Sequence, residues 1–446
     1  MATSFSRLVT AIQPDAAERR GESAAVRAAP SAVGCPPYVE VVTRVWRRAA
    51  WAAAAAYFLG SPSLTIVANG STARGAILAL FPLVASVLCF MGVQKPMWRG
   101  GRELMVPAAF AAVVVWQFLS AFFNIGPGYI MHALPALTLL MLGLRVRVIQ
   151  YELSIAEFRR CLASLLGPLV TILLLGLVLQ MLGRIPSEFP SEIPLSVHSY
   201  RLQGLAIHPI GEGLLAGLTL LLALAARGNR VRLSLYRSIT VAILILTDAR
   251  TAWVGTLAAV VFMWLLEPQR STWRRLLPIL VTMMALPAIA SFVLIERASS
   301  GGNVLTGRNI IWQNTLPLLR QLHVFGYGPQ AIARLFPDIG GAGSMISQAQ
   351  NQWLNDAINF GWVGPFLLAA LCLSISLAGP LSHRRTLLFS MLIYILVVSF
   401  SEEPLDLWNS IVQAFPLFLI FIVTSRGRNP LLESADPPTG GKGVFL

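Results

Sequence analysis

Residues 163–183 read ASLLGPLVTILLLGLVLQMLG, a run without one charged side chain. About 20 apolar residues in an α-helix cross the ~30 Å hydrocarbon core of a bilayer. Inside that core only helices and closed barrels satisfy their own backbone polar groups. The stretch therefore predicts a transmembrane helix. Working outward, similar runs recur at about 49–68, 76–93, 104–123, 128–144, 207–226, 233–247, 251–266, 276–295, 361–378, 385–400 and 408–424. The expected fold class is all-α: a polytopic integral membrane protein of about 12 transmembrane helices. Composition agrees, because 56% of the 446 residues are hydrophobic and only 12% are charged.

The charges then give a direction. Arg44, Arg47 and Arg48 precede the first run, Lys95, Arg99 and Arg102 follow the second, and Arg145 and Arg147 follow the fourth. Arg227, Arg230 and Arg232 follow the sixth, Arg270, Arg274 and Arg275 the eighth, Arg384 and Arg385 the tenth. Every second loop is basic, which is the pattern of a chain with both termini cytoplasmic. The same placement accounts for the net charge of +14 without nucleic acid. Two of the opposite loops are long, about 184–206 and about 296–360. The second holds Arg297, Arg308, Arg320 and Arg334 against Glu296 and Asp338, and its apolar residues predict amphipathic helices lying on the membrane. The domain reading is residues 1–45 as a disordered cytoplasmic segment with no cleavable signal peptide, 46–426 as the transmembrane domain with its large outer loop, and 427–446 as a disordered cytoplasmic tail. Cys35, Cys89, Cys161 and Cys372 have no metal-ligand spacing and read as small packing residues.

Four clusters on the outer side could carry chemistry. Tyr200-Arg201 precedes His208-Pro209 at the mouth of the sixth run, with Glu212 just inside it. Arginine on the side where basic residues are scarce reads as an interfacial anchor or as a grip on a phosphate, which a guanidinium holds bidentately. An ionisable residue inside a span is a functional candidate, with a headgroup-wetted carboxylate as the alternative. Thr247-Asp248-Ala249-Arg250 joins the short seventh run to the eighth, either as an ion pair closing a hairpin or as a recessed phosphate contact. Arg308 and Trp312 lie in the long loop, with Gln350 and Asn351 near its end. Trp312 and Tyr327 suit stacking on a sugar or anchoring in headgroups. Glu402, in the last outer loop, is an ordinary exposed acid or a clamp for sugar hydroxyls. No phosphate-binding Gly-Lys loop, HExxH or nucleophile elbow supports a soluble enzyme.

Five short motifs stand in order. They are Arg201-Leu202-x-Gly204-Leu205-x-x-His208-Pro209, Ala249-Arg250-Thr251-Ala252-Trp253, Gly307-Arg308-x-x-Ile311-Trp312, Gly326-Tyr327-Gly328, and Asn351-x-x-Leu354 with Gly361. Together they resemble the O-antigen ligase and O-antigen polymerase superfamily of bacterial cell-envelope enzymes, over about residues 200–409. The first five runs match only as hydrophobic helices.

The resemblance implies an inner-membrane glycosyltransferase acting on the periplasmic face. Its donor would be a glycan on undecaprenyl diphosphate, with no metal and no cofactor. Its partners would be the bilayer and, by analogy, a chain-length regulator and a flippase. Arg201, Arg250 and Arg308 become candidates to stabilise the leaving diphosphate, with Glu212 as a candidate base. His208, Asp248, Trp312, Gln350, Asn351 and Glu402 become candidates to bind substrate. One position departs from the pattern: the family's histidine before the asparagine is Gln350 here, and an amide does not take a proton at neutral pH. Either the base is then Glu212, His208, Asp248 or Glu402, or this member needs less base assistance. The departure favours a polymerase of O-antigen or exopolysaccharide repeat units over a ligase. Asp248 where the family often has serine, and Ile210 where it often has asparagine, leave the substrate open. The alternative from another class is a 12-span lipid-linked glycan transporter, whose internal repeat the sequence lacks.

Overall fold

The computed structural model describes residues 37–60, 101–126, 137, 139–144, 155–185, 200–206, 208–266, 308–321, 323–336, 351–378, 384–402, 404–405 and 411–423. The expected runs 76–93 and 276–295, loop residues 296–307 and 337–350 with Gln350, and the tail 427–446 lie outside the described residues. The chain divides into two compact units, Met1–Glu40 and Val41–Leu446. Of the first, only residues 37–40 are described, as the opening turn of helix α1 (Pro37–Gly60). That helix starts inside the segment 1–45 expected to be disordered.

Every regular element among the described residues is helical: α1, α2 (Gly101–Asn124), α3 (Ile155–Met181), α4 (Pro209–Ala225), α5 (Arg230–Leu246), α6 (Arg250–Leu266), α7 (Arg308–Arg320), α8 (Ala331–Leu335), α9 (Gln352–Phe360), α10 (Val363–Ala378), α11 (Arg384–Ser399) and α12 (Ile411–Val423). Among the described residues, two helices are long and apolar enough to cross a bilayer alone, Leu104–Asn124 and Ala156–Met181. Five shorter apolar helices accompany them, in α4, α6, α10, α11 and α12. Their outward faces carry exposed apolar side chains, among them Phe122 and Phe123 on α2, Val254 and Leu257 on α6, and Phe366 on α10. A surface so apolar is stable against hydrocarbon and costly against water.

Helix α4 is the hub, packed on α3, α5, α6, α11 and α12. Its sequence is apolar on all sides, which is the signature of a fully enclosed helix, and its residues from Glu212 to Ala223 are buried. Glycines let its neighbours approach. A Cβ on Gly217 would stand 2.5 Å from the Tyr394 Oη and 2.6 Å from the Thr256 Oγ1, and one on Gly213 would stand 2.7 Å from the Ala249 Cβ. Small residues at helix crossings serve this purpose in membrane bundles. Tyr394, inside the seam, donates its hydroxyl to the Leu214 carbonyl at 3.1 Å. Cys161 and Cys372 are buried thiols, as expected of packing residues.

The long loop differs from the expectation of helices lying on lipid. The apolar faces of α7, α8 and α9 are turned toward one another, burying Ile311, Trp312, Ala331, Ile332, Leu354 and Ile358 in a core of their own. The turn after α7 then pairs with the end of α9: the Tyr327 and Gly328 amides donate to the Ile358 and Asn359 carbonyls at 2.9 and 2.8 Å. Helix α2 holds this junction. Trp116 Nε1 donates to the Phe360 carbonyl at 2.7 Å, its ring stacks on Phe325 at 4.8 Å, and Ser120 Oγ lies 2.6 Å from the Phe325 carbonyl.

Candidate functional site

Three of the four clusters meet fully at one end of the bundle, and the long loop contributes its α9 end. The arrangement starts from a polar residue inside an apolar run. Gln180, near the end of α3, is 1% exposed. Its Oε1 accepts from the Gln203 and Gly204 amides at 2.7 and 3.1 Å, and its Nε2 donates to the Arg201 carbonyl at 2.9 Å. The segment 201–204 is thereby tied to α3. The Leu202 amide then reaches the Leu246 carbonyl at 2.8 Å, which ties the same segment to the end of α5.

These ties deliver Arg201 to the α5–α6 hairpin. Its Nε donates to the Thr247 carbonyl at 3.0 Å and its Nη2 to the Asp248 carbonyl at 2.8 Å. The carbonyls at the end of a helix lack intrahelical donors and carry negative partial charge, so a guanidinium is well placed there. Asp248 takes a left-handed conformation at φ 46°, which aspartate tolerates better than most residues. Its carboxylate is buried and lies 3.8 Å from the Arg250 Nε, while the Arg250 side chain is 65% exposed. The ion pair is present at the hairpin, and its arginine projects outward instead of lying in a recess.

The segment after α11 joins the same end of the bundle. Ser401 Oγ lies 3.0 Å from Thr251 Oγ1 in the first turn of α6. The Gln352 amide donates to the Glu402 carbonyl at 3.1 Å, and the Leu405 amide donates to Gln352 Oε1 at 2.9 Å. Asn351 caps α9: its Oδ1 accepts from the Leu354 amide at 3.0 Å while its Nδ2 donates to the Phe400 carbonyl at 2.9 Å. His208 likewise caps α4, its Nδ1 accepting from the Ile210 amide at 3.3 Å, with Pro209 in the position where a missing amide proton costs nothing.

Several candidates take other roles than expected. Trp312 is 3% exposed inside the loop core, so neither a sugar ring nor the headgroup layer can reach its face. Tyr327 turns its hydroxyl to the Gln321 carbonyl at 3.1 Å. Asn351 and Glu402 are buried, with Asn351 acting as a structural cap. Glu212 is fully buried beneath the segment 201–206: a Cβ on Gly204 would stand 2.3 Å from its carboxyl carbon, and Tyr57 of α1 donates its hydroxyl to Oε2 at 3.1 Å. It braces the mouth from below and does not open into it. Arg308 opens α7, which packs on α9; its side chain, and all of Gln350, lie outside what is described. Gln180 and Tyr57 are structural supports of this arrangement that the sequence reading missed. A lone glutamine in the run LVLQM was the only available signal for the first, and Tyr57, 155 residues before its partner, gave none.

The hairpin and its arginine fall inside a recognisable segment. Residues 235–369 match the O-antigen ligase family. The match runs from α5 into α10 and takes in Asp248, Arg250, Arg308, Trp312 and Asn351; Arg201, His208, Glu212 and Glu402 lie outside it. It supports the resemblance to the ligase and polymerase superfamily and an enzyme's role for the chain. With the apolar helices, it marks a membrane protein. No curated protein matches the chain.

The cap at Asn351 gives a test of its own. Replacing a capping asparagine by alanine costs about 1 kcal/mol, and here it also strips the Phe400 carbonyl of its donor. Asn351→Ala is expected to lower the thermal midpoint of the purified protein, and Asn351→Asp, which keeps the cap, to lower it less. Lost turnover at an unchanged midpoint would return Asn351 to the substrate contacts.

Proposed function

We propose that the chain is a membrane glycosyltransferase that extends a glycan carried on undecaprenyl diphosphate at the periplasmic face of the bacterial inner membrane. In this reading about 12 helices cross the bilayer, both termini are cytoplasmic, and the mouth described above is periplasmic. The observation that carries it is the meeting of Arg201 and Arg250 at one hairpin, the second exposed and inside the matched segment.

The chemistry asks for such a pair. An acceptor hydroxyl oxygen attacks the anomeric carbon of the donor glycan. The bond from that carbon to the diphosphate oxygen breaks, and its electron pair leaves with the lipid diphosphate. Charge grows on the leaving oxygen, so cations fixed beside it lower the barrier. Arg201 is held in place by the two hairpin carbonyls, and Arg250 projects from the first turn of α6, where the helix N-terminus adds positive partial charge. The acceptor's proton goes to a carboxylate at the mouth. Our candidate is Asp248, which lies beside the exposed Arg250 and is less deeply buried than Glu212.

Gln350 in place of the family's histidine favours polymerisation of repeat units over ligation to a final acceptor. Glycan profiling of a deletion strain separates the outcomes. Surface glycan arrested at a single repeat unit is the expected result. Full-length polymer held on the lipid carrier would instead make the protein a ligase, and unaltered glycans would remove it from this chemistry.

A further inference from the structure

The opposite end of the bundle holds a second basic place, which the proposed reaction does not use. Helix α4 is 17 residues long, so at 1.5 Å per residue this end lies roughly 25 Å from the mouth. A cavity of about 290 Å³ opens there among the starts of α3 and α11, the end of α4, the first half of α5 and the last turns of α6. Arg159, Arg227 and Arg237 line it, and no carboxylate is among its described lining residues.

Local bonds fix this arrangement. The Arg227 amide donates to the Arg159 carbonyl at 2.8 Å, which ties the end of α4 to α3. Arg237 Nε donates to the Ala223 carbonyl at 3.0 Å, which turns that guanidinium toward the end of α4. Thr386 brings the first turn of α11 to the wall, and a helix start adds positive partial charge. Three positive side chains around one cavity attract an anion. The rest of the wall is different in kind: Leu224 and Met263 are apolar and reach the surface. A free inorganic ion gains nothing from them, whereas a phosphate attached to hydrocarbon gains from both halves.

We propose that this cavity seats the headgroup of an anionic phospholipid, its phosphate among Arg159, Arg227 and Arg237 and its acyl chains leaving along Leu224 and Met263. The seat is separate from the lipid-linked donor, which the mouth at the other end would hold.

The test uses the purified full chain in detergent. Its thermal midpoint is followed as phosphatidylglycerol, phosphatidylcholine with the same acyl chains, or millimolar inorganic phosphate is added. Phosphatidylglycerol is expected to raise the midpoint in a saturable way, and the other two to leave it unchanged. The Arg159→Gln/Arg227→Gln variant should need roughly thirty-fold more phosphatidylglycerol for the same shift, given the usual contribution of each arginine at an anionic lipid surface. Thr386→Trp fills the cavity and keeps every arginine, so it should lose the shift as well; it decides the matter if the double variant does not fold. Equal shifts with the two lipids, or an unaltered response in Thr386→Trp, would overturn the proposal. Inorganic phosphate reproducing the whole effect would overturn the lipid and leave a simple anion site.

Discussion

Arg250→Ala should reduce glycan transfer by about 10²–10³-fold, the usual cost of removing one group that stabilises transition-state charge, while the protein remains folded in the membrane. The two halves of this expectation come from the same geometry. The Arg250 side chain is 65% exposed and its contact with Asp248 is 3.8 Å long. Exposed pairs of that kind contribute little to stability, so the variant's thermal midpoint should stay near that of the parent. Transfer is different, because a diphosphate leaving group gathers charge where this guanidinium projects. Arg250→Lys should fall between the two, keeping the charge and losing the planar fork. Single-turnover transfer from a lipid-linked donor reads the effect. An Arg250→Ala protein that transfers normally would remove this arginine from the reaction.

The second large effect is structural. Gly361→Ala should cost about 3 kcal/mol or more and release the loop from the bundle. Gly361 has φ 70° and ψ −179°, a backbone region that only glycine occupies readily. A Cβ there would stand 2.0 Å from the Val324 carbonyl oxygen and 2.9 Å from that of His323. Neither oxygen can retreat cheaply, because the turn that carries them is pinned to α2 through the Trp116–Phe325 ring stack and the Ser120 hydroxyl. Both the strain and the overlap must be relieved by undocking, and each contributes about 1–3 kcal/mol. A lower thermal midpoint, with faster proteolysis between α7 and α9, is the expected outcome. Gly183→Ala is the comparison: its φ is +67° but nothing stands within 4 Å of the added carbon, so it should cost only about 1 kcal/mol. Equal effects in the two variants would show that the overlap at Gly361 is relieved without undocking.

The all-helical fold could be read from the sequence because hydrophobic run length is a local property. The runs at 207–226, 233–247 and 251–266 correspond to α4, α5 and α6 within a few residues. The mouth was partly legible for the opposite reason. Arginines against the expected charge bias mark positions that need an explanation, and two of them, Arg201 and Arg250, do share one hairpin. Roles that depend on burial were not legible. Trp312 suits a sugar platform as a residue type, but the apolar faces of α7 and α9 enclose it. Asn351 looks like a polar contact in a motif, yet its side chain spans a helix start and the Phe400 carbonyl. Glu212 reads as an accessible acid near a helix mouth until Gly204 is seen to lie across it. For Trp312 and Asn351 the deciding neighbours are distant in the chain; Gly204 is near Glu212 in sequence, but its place across the carboxyl is set by Gln180 of α3, and periodicity carries no information about such contacts.

The central claim, transfer of a glycan from a lipid diphosphate at the Arg201–Arg250 mouth, is tested most directly by reconstitution. Purified protein in liposomes would be given undecaprenyl-diphosphate-linked repeat units, and both the glycan length and the released lipid diphosphate would be measured. The account predicts a ladder of longer lipid-linked glycans with one lipid diphosphate released per bond formed, both lost in Arg250→Ala. Folded protein that neither extends the glycan nor releases lipid diphosphate would contradict it.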